Sequence, residues 1–140
     1  MTNRKLADIL GNQRLLALRE YAPVREACGR MWDDHKGSVL VVDQDGKLVG
    51  IFTGRDAVRT LAEGKSAEVT PLGEAMTRNP VTVPPTASAV DALREMSDRG
   101  IRHLPVVENE RIIGVVSRGD FKGMEIDRLD EDDRLAECLR

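Results

Sequence analysis

An internal duplication constrains the fold of this chain more than any other feature. Residues 50–56 read Gly-Ile-Phe-Thr-Gly-Arg-Asp, and residues 114–120 read Gly-Val-Val-Ser-Arg-Gly-Asp at an offset of 64. Upstream residues match at an offset of 65, which aligns Ala27 with Ala92 and Met31 with Met96. One residue fewer in the second copy's turn accounts for the change of offset. Because a repeat defines the unit that builds a core with its neighbour, two copies of one unit are expected to fill most of the chain.

Each copy predicts the same succession of helix and strand. Apolar residues recur at i, i+3, i+4 and i+7, which predicts two helix faces: Val24, Ala27, Cys28 and Met31, and Ala89, Ala92, Leu93 and Met96. Short runs rich in valine and isoleucine predict strands at 39–42, 48–52, 104–107 and 111–116. These runs are apolar almost throughout, so both faces of each strand should be covered. The expected unit is helix–strand–turn–strand–helix.

Turn and cap residues set the predicted limits of these elements. The segment Asp43-Gln44-Asp45-Gly46 predicts a hairpin turn with glycine at the position of positive φ. Gly64 and Gly100 are expected to end helices. Hydroxyl residues are the predicted N-caps of four helices: Thr53, Thr70, Thr86 and Ser117.

The charge distribution argues against nucleic acid as a partner. The chain has 21 basic and 24 acidic residues, a net charge of −3. Residues 121–140 carry this whole imbalance, and no basic face stands out elsewhere. Since Lys and Arg supply most of the affinity for a phosphate backbone, no nucleic-acid binding is expected. The same segment has a weak apolar stripe that predicts a C-terminal helix resting on another surface, such as a partner subunit: Ile126, Leu129, Ala136 and Leu139.

Features of membrane and secreted proteins are missing from the sequence. No apolar run approaches the ~20 residues of a membrane span, and the charged start of the chain has no apolar core typical of a signal peptide. Two cysteines, Cys28 and Cys138, are too few for a disulfide scaffold, and Cys28 is expected in the core. We therefore expect no membrane partner and a cytoplasmic location.

The repeated pattern Gly-apolar-apolar-hydroxyl-x-x-Asp is the sharpest chemical feature. It sets a helix N-terminus at the end of a buried strand, where free backbone N–H groups favour an anion. A hydroxyl then stands beside a carboxylate suited to the diol of a ribose. Ordinary helix capping explains the same residues, since a Ser or Thr N-cap with Asp three residues later stabilises a helix by ~1 kcal/mol and binds nothing. The pattern alone leaves both interpretations open.

Together with their surroundings, the repeated segments resemble the CBS domain family. The resemblance includes residues 76–83 (Met-Thr-Arg-Asn-Pro-Val-Thr-Val) and 100–107 (Gly-Ile-Arg-His-Leu-Pro-Val-Val), and two tandem copies resemble a Bateman module over roughly residues 6 to 122. This implies an α/β (α+β) fold of two β-α-β-β-α repeats packed around a pseudo-two-fold axis, with a C-terminal helix. The implied domains are residues 1–66 and 67–122 for the repeats and 123–140 for the helical tail.

A nucleotide-binding site is also implied by the resemblance. Such modules commonly bind AMP, ADP, ATP, NAD or S-adenosylmethionine in clefts between the copies, act as sensors, and often form homodimers. Carried over to this sequence, the ribose contacts would be Asp56 and Asp120 beside Thr53 and Ser117, and the phosphate contacts Arg102, His103 and Arg118. The adenine would lie against residues 77–81, including Thr77 and Val81, beside Asp56, and against residues 11–15 beside Asp120. Gly37 and Ser38 stand where Arg102 and His103 would be, so the two clefts should be unequal.

No catalytic or metal site is expected. The phosphate-loop, dinucleotide-loop and nucleophile-elbow motifs are missing from the sequence, and His35 and His103 lack neighbours at metal-ligand spacing. We expect a regulatory module, not an enzyme, that binds an adenine nucleotide and signals through a homodimer to an unknown effector protein. The alternative is a ligand-free dimerisation or docking module with residues 123–140 as its contact surface. An enzyme is the third hypothesis.

Overall fold

The elements alternate as the duplicated pattern predicts. The computed structural model describes residues 3–138, except for the side chains of residues 124, 131–133 and 135–138. In chain order the elements are α1 (Leu6–Leu10), β1 (Ala17–Arg19), α2 (Val24–Asp34), β2 (Ser38–Val42), β3 (Leu48–Thr53), α3 (Gly54–Ala62), α4 (Leu72–Ala75), β4 (Thr77–Arg78), α5 (Ala89–Arg99), β5 (His103–Glu108), β6 (Arg111–Ser117), a 3-10 turn (Arg118–Asp120) and α6 (Gly123–Cys138). The mixed α+β class and the C-terminal helix are thereby confirmed.

Two compact units make up the structure. The first-repeat unit comprises Arg14–Val81 and Asn109–Ile112. The second-repeat unit comprises Thr82–Glu108 together with the described residues of Met1–Gln13 and Ile113–Arg140. Helix α1 precedes the first repeat along the chain but belongs to the second-repeat unit. The domain limits at residues 66 and 122 follow the sequence repeat and stay a prediction.

In the first-repeat unit, one sheet has the strand order β1-β2-β3-β4. β1 runs parallel to β2, and β2 and β3 form an antiparallel hairpin whose turn places Gly46 at φ +79°. Four residues of β2 are buried, so this strand is covered on both faces as predicted. The core of the unit includes Phe52 and Leu72, both fully buried. Cys28 is half-buried against this core, and burial raises the pKa of its thiol.

In the second-repeat unit, β5 and β6 form an antiparallel pair, and Val83 forms a parallel bridge with Val106 that corresponds to β1. Helix α5 presents its buried face here, with Ala92 and Leu93 fully buried. Helix α6 packs against α5 and buries Leu129, so the surface under the C-terminal helix is supplied by the same chain. The predicted stripe residues Ala136 and Leu139 lie outside the described side chains.

Three predicted helix starts are wrong by local chemistry. Ser88, not Thr86, caps α5, because Asp91 lies three residues later and closes both bonds of a capping box. Pro71 precedes α4 in extended conformation, while the carbonyl of Thr70 accepts from the first N–H of α2. After Ser117 only a 3-10 turn of three residues forms and α6 begins at Gly123. Two glycines near this start, Gly119 and Gly123, disfavour a continuous helix. The predicted ends at Gly64 and Gly100 have the positive φ of helix stops, at +72° and +64°.

Candidate functional site

The strand-to-helix corner of the first-repeat unit is a closed capping box. Thr53 ends β3 and caps α3: its backbone N–H donates to Asp56 Oδ2 at 2.9 Å, and the N–H of Asp56 donates to Thr53 Oγ1 at 3.4 Å. The Thr53 hydroxyl also donates to Asp56 Oδ2, at 3.2 Å. The predicted hydroxyl–carboxylate pair is therefore present, and its first role here is to satisfy the free N–H groups at the start of α3.

Asp56 has little capacity left for a ligand. Only 5% of the residue is exposed. While Oδ2 is held by Thr53, Oδ1 lies 3.3 Å from Nη2 of Arg59, one turn further along α3. Arg59 also donates to the carbonyl of Ala75, which fixes the guanidinium over the carboxylate. A ribose hydroxyl reaches Oδ1 only if Arg59 moves.

The neighbourhood predicted for adenine is brought to this corner in part. Thr77 lies on β4 and pairs with Ile51, two residues before Thr53 on β3. Gly50 permits this approach, since an added Cβ would lie 2.9 Å from the carbonyl oxygen of Thr77. Val81 lies three residues beyond β4, and among the described residues it makes no hydrogen bond to Thr53 or Asp56.

The corresponding corner of the second-repeat unit is open. The N–H of Ser117 donates to Asp120 Oδ2 at 2.7 Å, and its hydroxyl donates to the same oxygen at 3.2 Å. Asp120 is nevertheless exposed, and its Oδ1 has no hydrogen-bond or ion-pair partner among the described residues. The position that Arg59 occupies in the first copy, three residues after the aspartate, is Gly123 here. One carboxylate oxygen is thus free to accept a ligand hydroxyl.

Basic side chains surround this second corner as predicted. The N–H of Arg118 donates to the carbonyl of Arg102 at 2.9 Å, so the two arginines stand on facing strands with His103 next in β5. Burial lowers the pKa of His103 below its usual 6.5, and the charge of Arg102 lowers it further, while Asp120 acts in the opposite direction. The structure therefore brings Arg102, His103, Ser117, Arg118 and Asp120 together within one unit.

The predicted inequality between the two corners has a visible basis. In the first-repeat unit the N–H of Gly54 donates to the carbonyl of Gly37 at 3.2 Å, which is the counterpart of the Arg118–Arg102 bond. Gly37 and Ser38 therefore do occupy the positions of Arg102 and His103. Ser38 is 8% exposed. The first corner has neither the cationic groups nor the free carboxylate oxygen of the second.

A buried ion pair next to the second corner was missed by sequence reasoning. The carboxylate of Glu125, 1% exposed, accepts from Arg4 Nη2 at 2.8 Å and Nε at 3.1 Å, and from the N–H of Lys122 at 2.8 Å. Arg4 also donates to the backbone carbonyl of Asp120 at 3.2 Å. The hydrogen bonds from Arg4 lower the pKa of Glu125 to about 2 against the opposing effect of burial. The one available signal was the spacing of Lys122 and Glu125, which is that of a cap and its third helical residue.

A cavity of about 430 Å³ in the first-repeat unit contains none of the predicted site residues. Its lining includes Leu15, Ala17, Val42 and the hairpin turns around Lys47 and Glu110. Lys47 and Glu110 form an exposed ion pair across it, 3.4 Å apart. Across residues 3–138, no helix is long and apolar enough to span a membrane. Among the described side chains, no cluster of three or more His, Cys, Asp or Glu could hold a metal ion.

Both copies of the repeat match a known family model. The match to the CBS domain covers residues 6–63 and 72–124. The chain belongs to the CBS domain family. The CBS domain-containing protein CBSCBSPB2 of Arabidopsis thaliana is 39% identical over 104 residues, which are 74% of this chain and 19% of that protein. The chain thus spans about a fifth of the length of these curated plant relatives.

Solved structures share the fold over most of the chain. A putative signal-transduction protein with CBS domains from Burkholderia ambifaria superposes with a TM-score of 0.79 at 30% identity, covering 83% of this chain and 89% of that one. The CBS domain pair of protein MJ0100, solved in complex with 5′-methylthioadenosine and S-adenosyl-L-methionine, gives a TM-score of 0.76 at 30% identity and covers 89% of this chain and 98% of that one. The family resemblance and the fold class are confirmed.

Proposed function

We propose that this chain is a regulatory module that binds an adenosyl ligand at the corner of the second-repeat unit. The observation that carries the proposal is the exposed Asp120 carboxylate, whose Oδ1 has no partner among the described residues while Arg102 and Arg118 stand nearby. A free acceptor beside cations suits a ribose diol followed by phosphate. The related domain pair of MJ0100, bound to two adenosyl compounds, supports this ligand class.

The same geometry ranks the two corners. Asp56 is sealed by its capping box and by Arg59, whereas Asp120 offers one oxygen without displacing a side chain. We therefore assign the first binding event to Asp120 and treat Asp56, with Thr53 and Thr77, as a weaker site. A ligand at the weaker site must also do without the cationic residues, because Gly37 and Ser38 occupy their positions.

Calorimetric titration with AMP, ADP, ATP, NAD and S-adenosylmethionine tests the assignment. Asp120→Asn should weaken the best ligand at least tenfold, because the amide still accepts from Ser117 but offers the ribose no charge. Asp56→Asn should change this affinity little, and Asp45→Asn, in the exposed hairpin turn, should leave it unchanged. The melting temperature should rise with ligand in step with RT ln(1 + [L]/Kd). If none of the five compounds shifts it at millimolar concentration, the proposed function is refuted.

Signalling is proposed to run through a homodimer to another protein, without catalysis. A ligand that prefers one arrangement of a dimer shifts the population toward it. Light scattering with and without ligand should show a dimer in both states, and small-angle scattering should show a changed dimer envelope. Turnover of ATP or NAD on incubation with the chain would instead favour an enzyme.

A ligand-free dimerisation module is a second candidate, favoured by one specific observation. Helices α2 and α3 of the first-repeat unit expose large apolar side chains: Trp32 is 82%, Val58 65% and Leu61 71% exposed. If this surface is the contact between two copies, Trp32→Lys should yield a monomer in light scattering, with Arg30→Lys as the conservative control on the same helix. Truncation after Lys122 no longer discriminates the candidates, because α6 covers α5 and carries the buried Glu125.

A further inference from the structure

One side chain closes the outer edge of β6. The carboxamide of Gln13 makes two hydrogen bonds to a single residue: its Nε2 donates to the carbonyl oxygen of Val115 at 3.0 Å, and its Oε1 accepts from the N–H of Val115 at 2.7 Å. Gly114 permits the approach, since an added Cβ would lie 2.8 Å from Oε1 of Gln13. Gln13 is itself half-exposed.

The first-repeat unit closes the equivalent edge differently. There the residue that matches Val115 is Ile51, which pairs with Thr77 of β4 as part of a regular antiparallel ladder. A strand is held in place by its own chain on both sides, whereas a glutamine side chain turns about three single bonds and can leave without moving the backbone. The edge of β6 is therefore closed reversibly.

The Gln13 carboxamide and the free Asp120 oxygen lie along the same edge. The N–H of Arg118 points to β5, where it donates to the carbonyl of Arg102. Because backbone groups alternate along a strand, Val115 and Ser117 both point to the opposite edge, and the N–H of Ser117 there holds Asp120. Two residues of strand separate the two contacts, about 6.6 Å.

We propose that Gln13 is a built-in competitor for the base of the adenosyl ligand. This inference rests on the proposed function and specifies how the Asp120 site is regulated. A carboxamide presents one donor next to one acceptor, and adenine presents the same pair in its amino group and an adjacent ring nitrogen. On binding, the amino group donates to the carbonyl of Val115, the ring nitrogen accepts its N–H, and the ribose reaches Asp120 further along the edge. Gln13 swings out to solvent.

The consequence is a site that is closed at rest and selective for a donor next to an acceptor. Ligand affinity is reduced by the fraction of molecules in which Gln13 occupies the edge. A purine riboside without the amino group leaves the carbonyl of Val115 unpaired after Gln13 has left, so it should bind more weakly than adenosine.

Calorimetry of two glutamine variants tests the proposal. Gln13→Ala should bind AMP about tenfold more tightly than the wild type, because the competitor with its two hydrogen bonds is gone. Gln44→Ala, a glutamine in the exposed β2–β3 turn, is the matched control and should bind as the wild type does. Circular dichroism and thermal unfolding of both variants verify the fold.

Nuclear magnetic resonance gives a readout that is independent of affinity. In the wild type, the side-chain amide signals of Gln13 should move to solvent-exposed positions when AMP is added. In Gln13→Ala, the Val115 amide proton should exchange quickly in the free protein and become protected on ligand binding.

The possible outcomes separate the two proposals. Tighter binding by Gln13→Ala, including binding by the variant alone, supports the competitor. Unchanged or weaker binding by Gln13→Ala, with the wild type still binding, overturns the competitor and leaves the proposed function standing. If neither protein binds any adenosyl compound, the proposed function itself fails.

Discussion

Replacing Glu125 by glutamine should destabilise the protein far more than the loss of an ordinary surface charge. The hydrogen bonds from Arg4 lower the pKa of Glu125 from 4.5 to about 2. At about 1.4 kcal/mol per pKa unit, this difference corresponds to about 3 kcal/mol of stability at neutral pH. Glutamine imitates the protonated acid, so Glu125→Gln should lose about this amount. With an m-value of about 2 kcal/mol per molar, the urea midpoint should fall by about 1.5 M.

The pH dependence of this loss has a fixed direction. Because the folded-state pKa of Glu125 lies below the unfolded value, the stabilisation is complete above about pH 4.5 and is lost as the pH falls towards about 2. The difference between the wild type and Glu125→Gln should therefore shrink on acidification, with more than half of it gone at about pH 3.

A matched control and a double-mutant cycle complete the assay. Glu95 forms an exposed pair with Arg99 one turn along α5, and Glu95→Gln should cost less than about 0.5 kcal/mol. Combined with Arg4→Met, Glu125→Gln should add little further loss, since the two side chains act as one unit. A loss below about 1 kcal/mol at neutral pH, or one that is equal at about pH 3, would refute the assignment of stability to this pair.

Three further predictions concern packing, backbone strain and charge. Gly50→Ala should destabilise by about 1–3 kcal/mol, because the added Cβ meets the Thr77 carbonyl, whereas Gly29→Ala on the open face of α2 should stabilise by up to about 1 kcal/mol in the same urea assay. Glu110→Gly should stabilise by about 1 kcal/mol, since Glu110 holds φ at +65°; a net loss in urea denaturation would contradict this. By proton resonance, His103 should titrate below pH 6.5 and shift upward with AMP but not adenosine, and a higher value in the free protein would contradict its burial.

What could be predicted from the sequence was local in the chain. The apolar spacing of the two helices, the turn at Gly46 and the cap at Thr53 depend on residues within a few positions of one another, and all are found. The errors in helix starts are local too, and they arise where two hydroxyl residues compete. Ser88 prevails over Thr86 because the acid three residues on, Asp91, completes its capping box.

The contacts that distinguish the two corners could not be predicted because their partners are distant in sequence. Gln13 and Val115 are 102 positions apart, and Arg4 and Glu125 are 121 positions apart. Residues 11–15 were placed beside Asp120 by the family resemblance, but nothing in their sequence indicates that a glutamine side chain would substitute for a strand. Only the fold brings these pairs together.

The duplicated corner shows why a repeated motif does not by itself define a repeated site. Both copies use the hydroxyl and the carboxylate for capping, so capping alone preserves the pattern and binding needs a further condition. That condition is set three residues later, where Arg59 covers one aspartate and Gly123 leaves the other open. The same glycine shortens the helix after Ser117 to a 3-10 turn, which leaves Asp120 exposed. Loss of helix and gain of a free carboxylate oxygen therefore share one cause in the second copy.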